Sequence, residues 1–342
     1  MIGIPVGEEF RVNATTMDRQ DDPNVAVDAQ GNYVVVWESI DPDKPESGDV
    51  GIFAQRYDRF GNALGSEIEV ANEAAPNNGA NPVVGKDADG NFVVSWTGNA
   101  GNRSRDTVNA RRFDSNGNTL GDSFRVNTAT IDNKNSPDIA MNANGQFVIT
   151  WESRNQDGDR NGIFAQVYDP TGNPVGGEIA VNNITTGDQR TPAVGIDGSG
   201  NFVIAWTDNV GDRDSDDTVN ARRFDSAGTP LGESFLVSTI PDIDHDTPDI
   251  AMNASGEFVI AWESFGQDGD GSGVFAQKYN NAGEKSGDEI AVNTITIGNQ
   301  DDPSVAIDAN GNFFISWEGV GQDGGGDLAG IFDLDGIFGQ YF

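Results

Sequence analysis

Two stretches of this 342-residue chain carry oxygen ligands at the spacing a hard cation requires: Asp157-Gly-Asp159-Arg-Asn161-Gly162 and Asp268-Gly-Asp270-Gly-Ser272-Gly273. In a D-x-D-x-[DNS]-G loop, alternate side chains present oxygens at close range while glycine permits the tight turn. Neither loop has the distal Glu of an EF-hand, so calcium is expected to bind weakly, on the order of 0.1–1 mM. Asp333 and Asp335, before Gly336, repeat part of the pattern, and Asp212, Asp214, Asp216 and Asp217 crowd another stretch. Solvated acidic turns are the plainer alternative. The only histidine, His245, stands between Asp244 and Asp246 in DIDHDTPD. A solvated loop histidine is expected there, with a catalytic base as the alternative. Phe265 and Phe332 are the main aromatics of the variable stretches. With Asp246 and His245 they form the expected binding residues.

The elements that must position these groups are repeats. The six tryptophans, Trp37, Trp96, Trp151, Trp206, Trp262 and Trp317, share the pattern P-x4-[DN]-x2-G-x-[FY]-x3-W, which every unit meets in full. A period of this length points to a solenoid, a propeller or an array. Each unit holds short runs rich in Val, Ile, Phe and Tyr between Asn-Gly and Asp-Gly turns, which is the pattern of antiparallel strands. The second run (Val34, Val35, Val36, Trp37 in the first unit) is apolar throughout, so both of its faces are covered. The third residue after each Pro is small: Ala26, Gly85, Ala140, Gly195, Ala251, Ala306. Small residues there suit strands crowded around an axis, which a propeller has and a solenoid lacks.

The expected fold is therefore an all-β, six-bladed β-propeller of four-stranded antiparallel blades. Its blades span about 23–72, 82–127, 137–182, 192–238, 248–293 and 303–342, in a single domain over 1–342. The last unit stops after its third strand, while GEEFRVN at 7–13 matches the fourth strands SFRVN and EIAVN. That N-terminal strand is expected to complete blade 6 and close the ring, removing exposed edges. Blades 1, 3 and 5 read W-E-S then [IV]-F-A-Q, whereas blades 2 and 4 read W-T then V-N-A-R-R-F. Arg111, Arg112, Arg222 and Arg223 are expected to make inter-blade ion pairs with Glu38, Glu152 or Glu263. The recurring [DN]-x-x-G turns are expected to act locally, the Asp or Asn accepting nearby amides and Gly supplying positive φ.

With 55 acidic and 20 basic residues, the formal charge is −35. Phosphate binding needs clustered Lys and Arg, so nucleic acid is a poor partner. No stretch approaches the ~20 apolar residues that span a bilayer, and no basic start with an apolar run marks a signal peptide. Cysteine is absent, which removes disulfides and thiol chemistry.

G-N-[FY]-V-V-x-W-E-S … G-[IV]-F-A-Q-x-Y-D-x-x-G resembles the repeats of bacterial secreted hemolysin-type calcium-binding and adhesin-like surface proteins. The resemblance covers all six blades, although the glycine-rich nonapeptide calcium repeats of that family are absent. It implies an extracellular or cell-surface location and a calcium-stabilised binding or adhesion module, a monomer or part of a larger chain. Such a module would recognise a glycan or surface protein through its acidic loop face. Two other readings remain. One is a structural spacer of a larger surface protein. The other is a propeller hydrolase or lyase with a divalent ion at the channel mouth among Asp21, Asp22, Asp246, Asp301 and Asp302, and His245 as base.

Overall fold

Apolar runs two to three turns of pleat long, cut by D-x-x-G turns, leave the backbone one economical arrangement: short antiparallel meanders. The computed structural model describes residues 10–14, 19–40, 50–74, 80–99, 106–130, 132–209, 217–240, 243–320 and 335–342. Among them there is no helix, and the chain is an all-β, six-bladed β-propeller. Blade 1 has strands Arg19–Val27, Tyr33–Ile40, Val50–Tyr57 and Ile68–Ala74, and blade 2 has Val83–Lys86, Phe92–Asn99, Asp106–Phe113 and Phe124–Arg125. Blade 3 follows with Lys134–Met141, Phe147–Arg154, Asn161–Tyr168 and Pro174–Ala180. Blade 4 holds Asp188–Ile196, Phe202–Asn209, Thr218–Phe224 and Phe235–Leu236, and blade 5 holds His245–Met252, Phe258–Phe265, Ser272–Tyr279 and Ile290–Ala291. Blade 6 shows Gln300–Ile307, Phe313–Val320 and Asp335–Tyr341.

The molecule comprises two compact units, residues 1–147 with 169–173, and 148–168 with 174–342. In the first, Val34, Val36, Ile52, Phe92, Val94, Trp96 and Phe113 form one core. In the second, Val203, Ala205, Phe258, Ile260, Trp262 and Tyr279 form another, and Val274, Ile315 and Trp317 belong to a third. The second strands of blades 3, 4 and 5 are buried along both faces, as their unbroken apolar runs require, and Phe202–Asn209 is buried at every position, whereas that of blade 6 leaves Phe314 44% exposed. Blades 2, 4 and 5 lock their register with a cross-strand aromatic pair. Phe92 stacks on Phe113 at 4.7 Å, Phe202 on Phe224 at 4.9 Å and Phe258 on Tyr279 at 4.7 Å.

The small residues of the first strands have a steric cause. A Cβ on Gly85 would lie 2.9 Å from the Met141 Cβ, and one on Gly195 would lie 3.0 Å from the Met252 Cβ. The turns behave as expected. Asp28 Oδ1 accepts the Gln30 and Asn32 amides, both at 2.9 Å, and Gly31 takes φ +85°.

Residues 7–9 of the expected closing strand lie outside the described residues. Next to them, the Phe10 ring sits 5.3 Å from Tyr57 of blade 1. Phe235, in the fourth strand of blade 4, stands the same way 5.6 Å from Tyr279 of blade 5. The arginine pairs depart from expectation. Arg111 and Arg222 donate to the Val70 and Val181 carbonyls, each at 2.9 Å, and Arg112 and Arg223 donate to the Pro170 and Asn281 carbonyls at 2.9 and 2.8 Å. The antiparallel register aims these guanidinium groups at backbone acceptors of the adjoining blade, away from the glutamates that follow Trp.

Candidate functional site

The first strands of blades 1, 4, 5 and 6 are broken at the same place. In these four the residue two before Pro pairs with the residue after Trp: Asp21 with Glu38, Arg190 with Thr207, Asp246 with Glu263, Asp301 with Glu318. The register then shifts before the residue after Pro. The residue between is left-handed, and its equivalents share that conformation in all six repeats, with Asp22, Asn81, Ser136, Thr191, Thr247 and Asp302 at φ from +44° to +49°. Such backbone costs on the order of 1 kcal/mol at a non-glycine residue, so a six-fold recurrence is a built feature. A bulge at a sheet end re-aims the side chains beside it. Here it gathers polar residues at one end of the blades.

In the second unit the gathered side chains bond to one another. Asp246 Oδ2 accepts from Arg190 Nη2 at 2.9 Å, and its Oδ1 accepts from Thr207 Oγ1 and the Thr247 amide, both at 2.7 Å. Arg190 also donates to the Asp217 carboxylate, whose side chain is almost wholly buried. Burial raises the Asp217 carboxyl; Arg190 pulls it down, and the charges of Asp246 and Asp244 push it up again. Burial works against the Arg190 charge too, but Asp246, Asp217 and Asp188 outweigh it and hold the guanidinium above its ordinary value.

Glu263 lies beside this cluster and breaks the repeat. In blade 1, Glu38 Oε2 accepts the Ala80 amide of the next blade at 2.6 Å, and in blade 3, Glu152 Oε1 accepts the Thr191 amide at 2.8 Å. Those glutamates are inter-blade clips. Glu263, at the same repeat position, bonds instead to two hydroxyls of its own blade, Ser272 Oγ at 2.9 Å and Thr247 Oγ1 at 3.3 Å. It is partly open to solvent. Burial pushes its carboxyl up to about 7, the Asp301 and Asp246 charges add to the push, and the two hydroxyls oppose it without cancelling it. A protonated carboxyl poised near neutrality beside carboxylates is the arrangement of a proton donor.

His245 is not solvated. It begins the first strand of blade 5 with 1% exposure, its Nε2 2.8 Å from the Ile240 carbonyl and its ring edge-on to Trp262 at 6.5 Å. Adjacent residues of a strand point to opposite faces, so while Asp246 faces the polar cluster, His245 faces the core. Burial lowers its pKa, and as a buried core residue it is badly placed to serve as a base at the mouth.

The two calcium-like loops are knitted to the segments that follow their blades. Asp157 Oδ2 accepts from Asn182 Nδ2 at 2.9 Å, and Asp159 Oδ2 accepts the Gly187 amide at 3.0 Å. The Asn161 amide donates to Asp188 Oδ1 at 3.2 Å. In blade 5, Asp268 Oδ2 accepts from Asn293 Nδ2 at 2.8 Å, Asp270 Oδ2 the Gly298 amide at 3.4 Å, and the Ser272 amide donates to Asn299 Oδ1 at 3.3 Å. A cation at either loop would have to displace those N–H donors. Among the described residues, no three Asp, Glu or His side chains come together as a metal requires. Asp333 and Phe332 lie outside the described residues, as do Asp212, Asp214 and Asp216; Asp335 is placed by its backbone at the start of the last strand. Phe265 ends the second strand of blade 5 and is 59% exposed.

Arg190, Thr207 and Thr247 were not singled out from sequence. One signal was available for the first: Arg190 stands where Asp21, Asp246 and Asp301 stand in their repeats.

No family model and no curated protein matches the chain. Solved structures do. A protein of unknown function from Dyadobacter fermentans DSM 18053 aligns with TM-score 0.61 and 11% identity over 95% of this chain and 94% of its own. The GH93 α-L-arabinofuranosidase of Fusarium graminearum, in complex with arabinobiose, gives TM-score 0.60 and 11% identity over 96% and 95%. The Penicillium chrysogenum α-L-arabinanase complexed with arabinobiose gives 0.57 and 13% over 87% and 88%. They share the fold. The resemblance to hemolysin-type and adhesin-like proteins finds no support in them.

Proposed function

We propose that the chain is a propeller glycoside hydrolase, with Glu263 as proton donor and Asp246 as the anionic partner. Glycosidic cleavage needs a carboxylic acid that protonates the leaving oxygen and a carboxylate that supports the oxocarbenium-like centre or activates water. The observation that carries the reading is Glu263, released from the clip role of Glu38 and Glu152 and held protonated near pH 7 beside Asp246. Arg190, Thr207 and the Thr247 amide fix the orientation of Asp246. The arabinose-directed proteins of the same fold support a sugar as substrate.

The test is release of reducing sugar from a panel of neutral oligosaccharides across pH 4–9. Activity should fall as pH rises through about 7, where Glu263 loses its proton, and Glu263→Gln should lower kcat by at least about 100-fold. Undiminished cleavage by that variant would remove Glu263 from the mechanism. A wild-type protein that retains glycans without cleaving any would return the acidic face to binding alone.

A further inference from the structure

Along the second strand of blade 5, exposure alternates after the buried Trp262: Glu263 is half-buried, Ser264 buried, Phe265 exposed. Side chains two apart on a strand share a face and stand ~7 Å apart. Glu263 and Phe265 therefore open to the same side, at about the separation of neighbouring sugar rings. Ser272 joins the two positions, pairing with Phe265 across the ladder while its Oγ donates to Glu263 Oε1 at 2.9 Å. The Phe265 amide donates to the Asp244 carbonyl at 2.9 Å, which holds the strand end in place.

The surroundings are open. A Cβ on Gly266 or on Gly269, in the loop just beyond Phe265, would meet nothing within 4 Å. Phe265 is also without parallel in the repeat. Ile40, Asn99, Arg154, Asn209 and Val320 occupy its position in the other blades. The Phe265 ring, 59% exposed, stands beside a glutamate that bonds within its own blade, and offers a flat apolar surface for a ligand to cover.

We infer that Phe265 is the stacking platform of a subsite that receives the sugar ring next to the bond facing Glu263, and that this subsite selects neutral oligosaccharides. The ring offers a flat apolar surface to the C–H face of a sugar. Asp244, Asp268 and Asp270 lie on the flanking segments of the same blade and set a negative field that repels uronates and sulfated sugars. The inference rests on the glycosidase reading for the role of Glu263, but retention of a glycan by Phe265 is measured apart from cleavage.

The experiment uses an array of arabino-, xylo-, gluco-, galacto- and manno-oligosaccharides together with galacturono-oligosaccharides. It compares Glu263→Gln, which binds without turnover, with Glu263→Gln combined with Phe265→Ala or with Phe265→Trp. Glu263→Gln should retain at least one neutral series and none of the galacturonates. Phe265→Ala should weaken retention about five- to tenfold and Phe265→Trp should keep it. Because Phe265 is exposed, the melting temperature should not move. Equal retention with and without the ring, preference for galacturonates, or retention of no neutral series would overturn the proposal. Cleavage that survives Glu263→Gln would overturn the catalytic role while leaving Phe265 to be judged by retention.

Discussion

At the scale of single residues, two titratable groups of blade 5, half-buried Glu263 and buried His245, oppose each other. Glu263 keeps its proton in the fold up to about pH 7, while the unfolded chain releases it near the ordinary carboxylate value. Between those values the folded state binds more protons, so its share of stability is lost as pH rises through the window. His245 has the opposite sign: burial lowers its pKa, the unfolded chain takes up a proton first, and stability is lost as pH falls below about 6.5. The repeat shows how to remove the second effect. Asn182 Nδ2 donates to Gln189 Oε1 at 3.0 Å and Asn293 Nδ2 to Gln300 Oε1 at 2.7 Å, whereas the same junction before blade 5 holds Ser238 and His245. There Ser238 Oγ and His245 Nδ1 are buried without a hydrogen-bond partner. His245→Gln with Ser238→Asn should flatten the acid limb of thermal stability between pH 5 and 7 and add about 1 kcal/mol through the restored bond. A melting curve that keeps its acid limb would show that another group sets it. A lone histidine among aspartates looked solvated in the sequence because flanking residues say nothing about which strand face a side chain takes. Aligning the six repeats on Pro gives that face directly.

At the scale of elements, the blades are joined by arginines pressed onto glycine turns. A Cβ on Gly172 would lie 2.6 Å from the Arg112 Cδ, and one on Gly283 would lie 2.6 Å from the Arg223 Cδ. Both glycines also take positive φ, +84° and +78°. Gly283→Ala therefore loses a permitted conformation and collides with the side chain that binds the turn carbonyls, and should destabilise by about 2–3 kcal/mol. Gly287→Ala serves as its control. It has φ +89° but open space around it, so only the backbone cost of about 1 kcal/mol should appear. If the two variants unfold alike in urea, the arginine contact contributes nothing; if Arg223→Ala relieves the difference, the contact is its source. The propeller, its strands and these turns were legible because Trp, Pro and D-x-x-G recur at fixed offsets. The arginine partners were not. Carboxylates are conspicuous in a sequence, but backbone carbonyls are everywhere and only the register selects among them.

At the scale of the whole molecule, the charge of −35 is partly committed to structure. The exposed turn carboxylates Asp58, Asp114, Asp225 and Asp308 are held below their ordinary values by hydrogen bonds from the turns they close, so they stay charged well into the acid range. Repulsion among them cannot be shed by mild protonation and must be screened by salt or neutralised by bound cations. Melting temperature should therefore rise with sodium chloride from about 0.01 to 0.5 M, a range over which the screening length falls from ~30 Å to below ~8 Å. Calcium and magnesium compared at equal ionic strength separate screening from binding. A calcium excess that disappears on Asp157→Asn with Asp268→Asn would place a cation at the two D-x-D loops, where it must displace the Asn182 and Asn293 amides from their carboxylates. Equal shifts with both ions would mean that those loops are closed by hydrogen bonds alone. The aspartates then belong to the hydrogen bonding that ties each loop to the segment after its blade.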